Sequence, residues 1–143
     1  MSNIKEKEQQ IVQEFSMFED WMDKYNYLIE MGKDCPQLPE EEKKESNLIK
    51  GCQSRVWFSV KCEDGKMKLR ADSDAVITKG IATLLIRLFD NQPPKDVYEA
   101  ELTVIDEIGL SEHLSPTRSN GLSAMVKQIK LYALAFSLTE NKK

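Results

Sequence analysis

Between Arg55 and Asp72 the hydrophobic residues of this chain recur every second position, while on both sides they recur every third or fourth. That change of period limits the fold more than any other feature. Val56, Phe58, Val60 and Cys62 fall on one face of an extended segment, with Trp57, Ser59 and Lys61 on the other. After Glu63-Asp64-Gly65, Met67, Leu69 and Ala71 alternate with Lys66, Lys68, Arg70 and Asp72. Period-two alternation on either side of an Asp-Gly turn predicts a β-hairpin. Leu48-Ile49-Lys50 is expected to add a short third strand, giving a three-stranded antiparallel sheet.

The flanking segments read as helices. Ile4, Ile11, Phe15 and Phe18, then Trp21, Tyr25, Leu28 and Ile29, repeat at helical steps over residues 3–31, with a break near Glu19-Asp20 and Gly32 just past the end. Cys35-Pro36-Gln37-Leu38-Pro39 is a connector, and Pro39 is placed to start a short polar helix through Lys44. Ser73 or Asp74 is expected to cap a helix carrying Val76, Ile77, Ile81, Leu84, Leu85 and Leu88, which Asn91-Gln92-Pro93-Pro94 ends. A short helix around Leu102–Ile108 stops at Gly109. Ser115-Pro116 opens the last helix, with Leu122, Met125, Val126, Ile129, Tyr132, Ala133 and Phe136 on its buried side. Helices, then an antiparallel sheet, then helices define an α+β class, and 143 residues without a linker or repeat predict one domain over residues 1–143.

Composition excludes several functions. A net charge of -4 argues against a binder that relies on the nucleic-acid backbone. No stretch approaches the roughly 18 apolar residues of a membrane span, and the start, MSNIKEKEQQ, lacks a secretory apolar core. A cytoplasmic setting follows as the expectation, in which Cys35, Cys52 and Cys62 stay reduced.

Chemistry concentrates on Cys52, in Gly51-Cys52-Gln53-Ser54-Arg55 directly before the first strand. A thiol between glycine and small polar residues at a loop tip can meet another molecule, and Lys50 and Arg55 supply positive charge that favours thiolate. The alternative is a small buried hydrophobe. Cys62, in phase with Val56, Phe58 and Val60, reads as core; Cys35, among prolines, reads as a surface or half-buried thiol. Irregular cysteine spacing without a C-x-x-C pair gives no metal site. His113, the only histidine, is either a base for Cys52 in a hydrolase or a structural hydrogen-bonding group. Arg118, in the first turn of the last helix where the dipole disfavours it, either guards the Cys52 loop or forms an exposed ion pair. Asp74 has a cap as its ordinary explanation.

Tyr27-Leu28-Ile29-Glu30-Met31-Gly32-Lys33, Gly51-Cys52-Gln53-Ser54-Arg55-Val56-Trp57, Asp72-Ser73-Asp74-Ala75-Val76-Ile77-Thr78-Lys79-Gly80 and His113-Leu114-Ser115-Pro116-Thr117-Arg118-Ser119-Asn120-Gly121 occur in that order. Across about residues 14–135 the chain resembles the SufE family, the sulfur acceptors of iron–sulfur cluster assembly. The resemblance implies a fold similar to cluster scaffold proteins. It also implies that Cys52 takes sulfur from the persulfide of a pyridoxal-phosphate-dependent cysteine desulfurase, stimulates that enzyme and passes the sulfur to an iron–sulfur scaffold complex. It makes Asp74 and Arg118, with Gly51, Gln53, Ser54 and Arg55, the candidates for loop and partner contacts. It further implies no bound cofactor or metal, and a monomer or weak homodimer. A Cys-dependent hydrolase and a cluster-holding scaffold are the alternatives.

Overall fold

The structure, a computed structural model, describes residues 3–36, 38–50 and 55–140. The predicted hairpin is its sheet: β1 (Val56–Glu63) pairs antiparallel with β2 (Lys66–Ser73) from Glu63↔Lys66 to Val56↔Ser73. Asp64 and Gly65 join them with φ of 55° and 75°. Two consecutive positive φ values give a turn whose twist matches that of the strands, and the Asp-Gly pair accommodates them. Val56, Phe58, Met67, Leu69 and Ala71 are buried; Cys62, opposite Met67, is only half-buried.

The expected third strand is absent among the described residues. Leu48 makes one isolated bridge to Trp57, and the Ile49 N–H donates to Val56 O at 2.8 Å. A 3-10 turn over Glu45–Asn47 curls the chain immediately before Leu48, leaving no extended run for a longer ladder. The polar helix expected after Pro39 is likewise one 3-10 turn, Glu40–Glu42. On the other side, the loop after the central helix covers β2. Asn91 N–H donates to Met67 O at 2.7 Å, Met67 N–H to Gln92 O at 2.9 Å, and Leu69 N–H to Asp90 Oδ1 at 2.8 Å. These bonds satisfy backbone groups that an open sheet edge would leave unpaired.

Helices α1 (Ile4–Phe15) and α2 (Trp21–Gly32) match the predicted periodicity, including the break between them. Asn3 caps α1, its side chain accepting from Glu6 N–H at 2.8 Å. The centre of the fold is α3 (Val76–Phe89), buried on nearly every face, although its first residue Val76 is exposed. Gly32 is the last residue of α2 rather than a residue beyond it. It lies against Gly80 of α3, and a Cβ on Gly80 would stand 2.1 Å from Leu28 O. The two helices therefore approach backbone to backbone, a contact only glycine permits. Arg87 of α3 ties down α1, donating from Nη2 to Glu14 Oε2 at 2.6 Å and from Nη1 to Glu14 Oε1 at 2.8 Å.

Three short helices follow: α4 (Pro94–Glu99), α5 (Val104–Glu107) and α6 (Leu110–His113). Pro94 ends nothing; it opens α4, because proline suits a first helical turn. The buried carboxylate of Glu8 accepts from Thr103 N–H at 2.9 Å and Val104 N–H at 3.1 Å, so α1 caps α5 from outside. The last helix, α7 (Pro116–Glu140), buries Leu122, Met125, Ile129 and Ala133, with Val126, Tyr132 and Phe136 packed partly against the core. No helix of the described residues is long and apolar enough to cross a membrane.

Candidate functional site

The site is built around the approach to Cys52. Gly51, Cys52, Gln53 and Ser54 lie outside the described residues, and the flanks define how the segment is held. On one side Ile49 is buried and bonded to Val56 O. On the other side Arg55 is gripped through its backbone: its N–H donates to Asp74 Oδ1 at 3.0 Å. Its carbonyl accepts from Ser73 Oγ at 2.8 Å and from Asp74 N–H at 3.2 Å. The two described flanks, Ile49 and Arg55, are thus each hydrogen-bonded at the open end of the hairpin.

This grip changes the reading of Asp74. The N-cap of α3 is Ala75, without a side-chain cap bond, and Ser73 Oγ accepts from Ala75 N–H at 3.2 Å. Asp74 turns to Arg55 instead. The hairpin register explains it: with Val56 opposite Ser73, the next rung sets Arg55 opposite Asp74. Ser73 and Ile49 are the site residues that sequence reasoning missed as such, and counting the register back from the Asp64-Gly65 turn would have found Ser73. The neighbouring carboxyl of Asp72 is engaged by Lys43 at 2.7 Å and Lys79 at 3.3 Å. Burial raises that carboxyl, but the two lysines and the Ser73 N–H outweigh burial and hold it below its ordinary range.

Arg118 sits elsewhere on the surface. Its N–H donates to Ser115 Oγ at 3.3 Å, and its Nη1 lies 3.5 Å from Tyr25 Oη. Among the described residues no carboxylate pairs with its guanidinium, and no hydrogen bond joins it to Arg55 or Asp74. The exposed ion pair considered for Arg118 is therefore not formed among these residues. Trp21, one turn before Tyr25, stacks on the His113 ring with centroids 4.6 Å apart and planes 14° apart. Gly109, at φ 86°, lies beside that ring, and a Cβ there would stand 3.4 Å from His113 Cδ2. His113 is thus a packed aromatic partner of α2. A shelf of Trp21, Tyr25, His113 and Arg118 joins α2 to α6 and α7.

The Cys35 thiol is a poor nucleophile. Cys35 is buried rather than at the surface, because the connector folds under β2 and its Sγ donates to Ala71 O at 3.4 Å. Burial pushes its thiol up, which disfavours the reactive thiolate. Among the described residues no group of three or more His, Cys, Asp or Glu could hold a metal ion.

Comparison with known proteins follows the same outline. The chain is similar over its fold to a protein of Thermus thermophilus whose solution structure is described as that of a hypothetical protein. The TM-score is 0.75 and the identity 23%, covering 90% of this chain and 94% of that one. A model of the SufE family, described as an Fe-S metabolism associated domain, matches residues 9–133. By that match, which takes in the Cys52 segment, its Arg55–Asp74 anchor and Arg118, the chain belongs to the SufE family.

Proposed function

We propose that this protein is a sulfur acceptor of iron–sulfur cluster assembly, with Cys52 as the acceptor. It takes sulfur from a pyridoxal-phosphate-dependent cysteine desulfurase and carries it to an iron–sulfur scaffold complex. The observation that carries the reading is the family match over residues 9–133, with Cys52 as the cysteine in its Gly-Cys-Gln-Ser-Arg segment. The anchored flanks support it, since a thiol that must meet two partners gains from a fixed base.

The step is thiolate attack on a sulfur–sulfur bond. Cys52 Sγ attacks the terminal sulfur of the donor persulfide, and a new sulfur–sulfur bond forms to Cys52 as the donor's bond breaks. The electron pair of the broken bond stays on the donor cysteine, which leaves as a thiolate, and Cys52 becomes the persulfide. Oxidation level is conserved across the pair, so no outside oxidant is needed. The rate depends on thiolate fraction, leaving-group pKa and access. A dedicated base is not required, which accords with His113 being stacked on Trp21.

Intact mass spectrometry after mixing the protein with a cysteine desulfurase and free cysteine tests this. The expected result is a gain of one sulfur atom or more on wild type, mapped to Cys52, removed by reductant and absent from Cys52→Ser. No gain with several desulfurases that each form their own persulfide rejects the reading.

A further inference from the structure

Side chains close the last rung of the hairpin. Met67 and Leu69 turn backbone groups outward, to Asp90, Asn91 and Gln92. The pairs that exchange hydrogen bonds across the hairpin are therefore the alternate ones, from Glu63–Lys66 to Trp57–Asp72. One step further, Arg55 and Asp74 fall in the same class. Half of their exchange is present, since Asp74 N–H donates to Arg55 O at 3.2 Å. The other half goes to a side chain: Arg55 N–H donates to Asp74 Oδ1 at 3.0 Å. Ser73 Oγ adds a third bond, donating to Arg55 O at 2.8 Å while accepting from Ala75 N–H at 3.2 Å. That hydroxyl uses both its donor and its acceptor to join the Arg55 peptide to the start of α3.

The side chain carried by this clamped peptide has no ionic partner. Arg55 is exposed and forms no ion pair among the described residues. Asp72, its diagonal neighbour on the same face, is taken by Lys43 and Lys79. Glu40 and Glu42 are taken by Lys43 and Lys61, and neither Asp74 nor Glu45 makes an ion pair with the guanidinium. A planar fork on a fixed backbone suits a carboxylate from another molecule, because less freedom is lost when the two meet.

Covalent geometry puts that fork in the path of the sulfur donor. Arg55 follows Cys52 by three residues, so their Cα atoms are at most about 11 Å apart whatever course the chain takes between them. A protein that docks over a thiol covers about 800 Å², a patch roughly 30 Å across. We propose that Arg55 is a specificity-determining contact for a carboxylate of the cysteine desulfurase, and that Ser73 is the residue that positions it. This rests on the sulfur-acceptor reading, in which the desulfurase is the partner that loads Cys52.

The test is a double-mutant cycle of full-length wild type, Ser73→Ala, Arg55→Ala and the double variant, each titrated with a purified cysteine desulfurase. Sulfur uptake at saturating desulfurase is followed in parallel by mass spectrometry. Arg55→Ala binds about tenfold more weakly and loses part of the salt dependence, as for one charge-assisted hydrogen bond. Ser73→Ala binds about threefold more weakly, as for one neutral hydrogen bond, and adds nothing further once Arg55 is alanine. Ser73→Thr keeps the hydroxyl and restores the affinity. Uptake at saturation keeps the wild-type rate in all of them, because neither residue takes part in the exchange of sulfur–sulfur bonds. A purely structural Ser73 would instead weaken binding equally with and without Arg55, and that result overturns the positioning role. Wild-type affinity or unchanged salt dependence in Arg55→Ala overturns the carboxylate contact, as does an equal loss in Lys95→Ala, which removes the same charge from α4. Each of these leaves sulfur acceptance standing. A wild type that gains no sulfur overturns the reading beneath.

Discussion

Arg55 and Asp74, 19 residues apart, face each other across the open end of the hairpin, with Arg55 N–H donating to Asp74 Oδ1 at 3.0 Å. This bond holds the exit of the Cys52 segment. Asp74→Ala removes the acceptor and should speed hydrogen exchange at the Arg55 amide, at a cost of about 0.5–1 kcal/mol in stability for an exposed bond. Asp74→Asn keeps a side-chain oxygen and should retain most of the protection. Equal exchange in wild type and Asp74→Ala would show that the segment is held by other bonds.

The approach of α2 to α3 leaves no room for a side chain at Gly80. A Cβ there would overlap Leu28 O, a backbone atom that cannot rotate away. Gly80→Ala should therefore cost about 3 kcal/mol or more, above its small gain in helix propensity. In a chain of this size that lowers the melting temperature by on the order of 10 °C, readable by calorimetry. A melting temperature within a degree of wild type would mean the helices can separate freely.

The ion pair between α1 and α3 makes stability depend on pH. The Arg87 hydrogen bonds hold the Glu14 carboxyl below its ordinary range; burial opposes them, while Tyr27 Oη, also donating to Glu14, assists. A carboxyl whose folded value lies below its unfolded one, near 4.5, contributes stability that is present above that value. The contribution is lost as pH falls through the folded value. Chemical denaturation between pH 3 and 7 should show a fall in stability at the acid end, and Glu14→Gln should flatten it. An identical acid slope in Glu14→Gln would assign the loss to other carboxylates.

How much of this could be read from the sequence follows from which interactions are local. The hairpin was legible because period-two alternation and the Asp64-Gly65 turn act within a few residues. The long helices were legible for the same reason. The third strand was not, because a 3-10 turn that leaves only Leu48 bridged is decided by its tertiary surroundings rather than by propensity. Cys35 was misplaced because its burial depends on a connector folding under β2, which no local pattern encodes. Asp74 carried a cap signature that the structure spends on Arg55, since the strand register reached it before the helix did. The stack of Trp21 on His113 joins residues 92 apart in the chain and left no local signal.

Arg118 offers the clearest separation of function from stability. Its guanidinium is exposed and, among the described residues, meets only Tyr25 Oη at the limit of hydrogen-bond distance. Removing it should change folding stability by no more than about 0.5 kcal/mol, as for most surface substitutions. If Arg118 meets an anionic group on the loaded sulfur or on the desulfurase, Arg118→Ala should slow sulfur uptake by Cys52 about tenfold, the loss expected for one charge-assisted hydrogen bond. Arg118→Lys keeps the charge without the planar fork and should recover only part of the rate. Single-turnover transfer from a preloaded desulfurase, read by mass spectrometry, separates these outcomes. Full transfer by Arg118→Ala at wild-type rate would leave Arg118 as a surface residue beside Tyr25 and place recognition of the donor on other side chains.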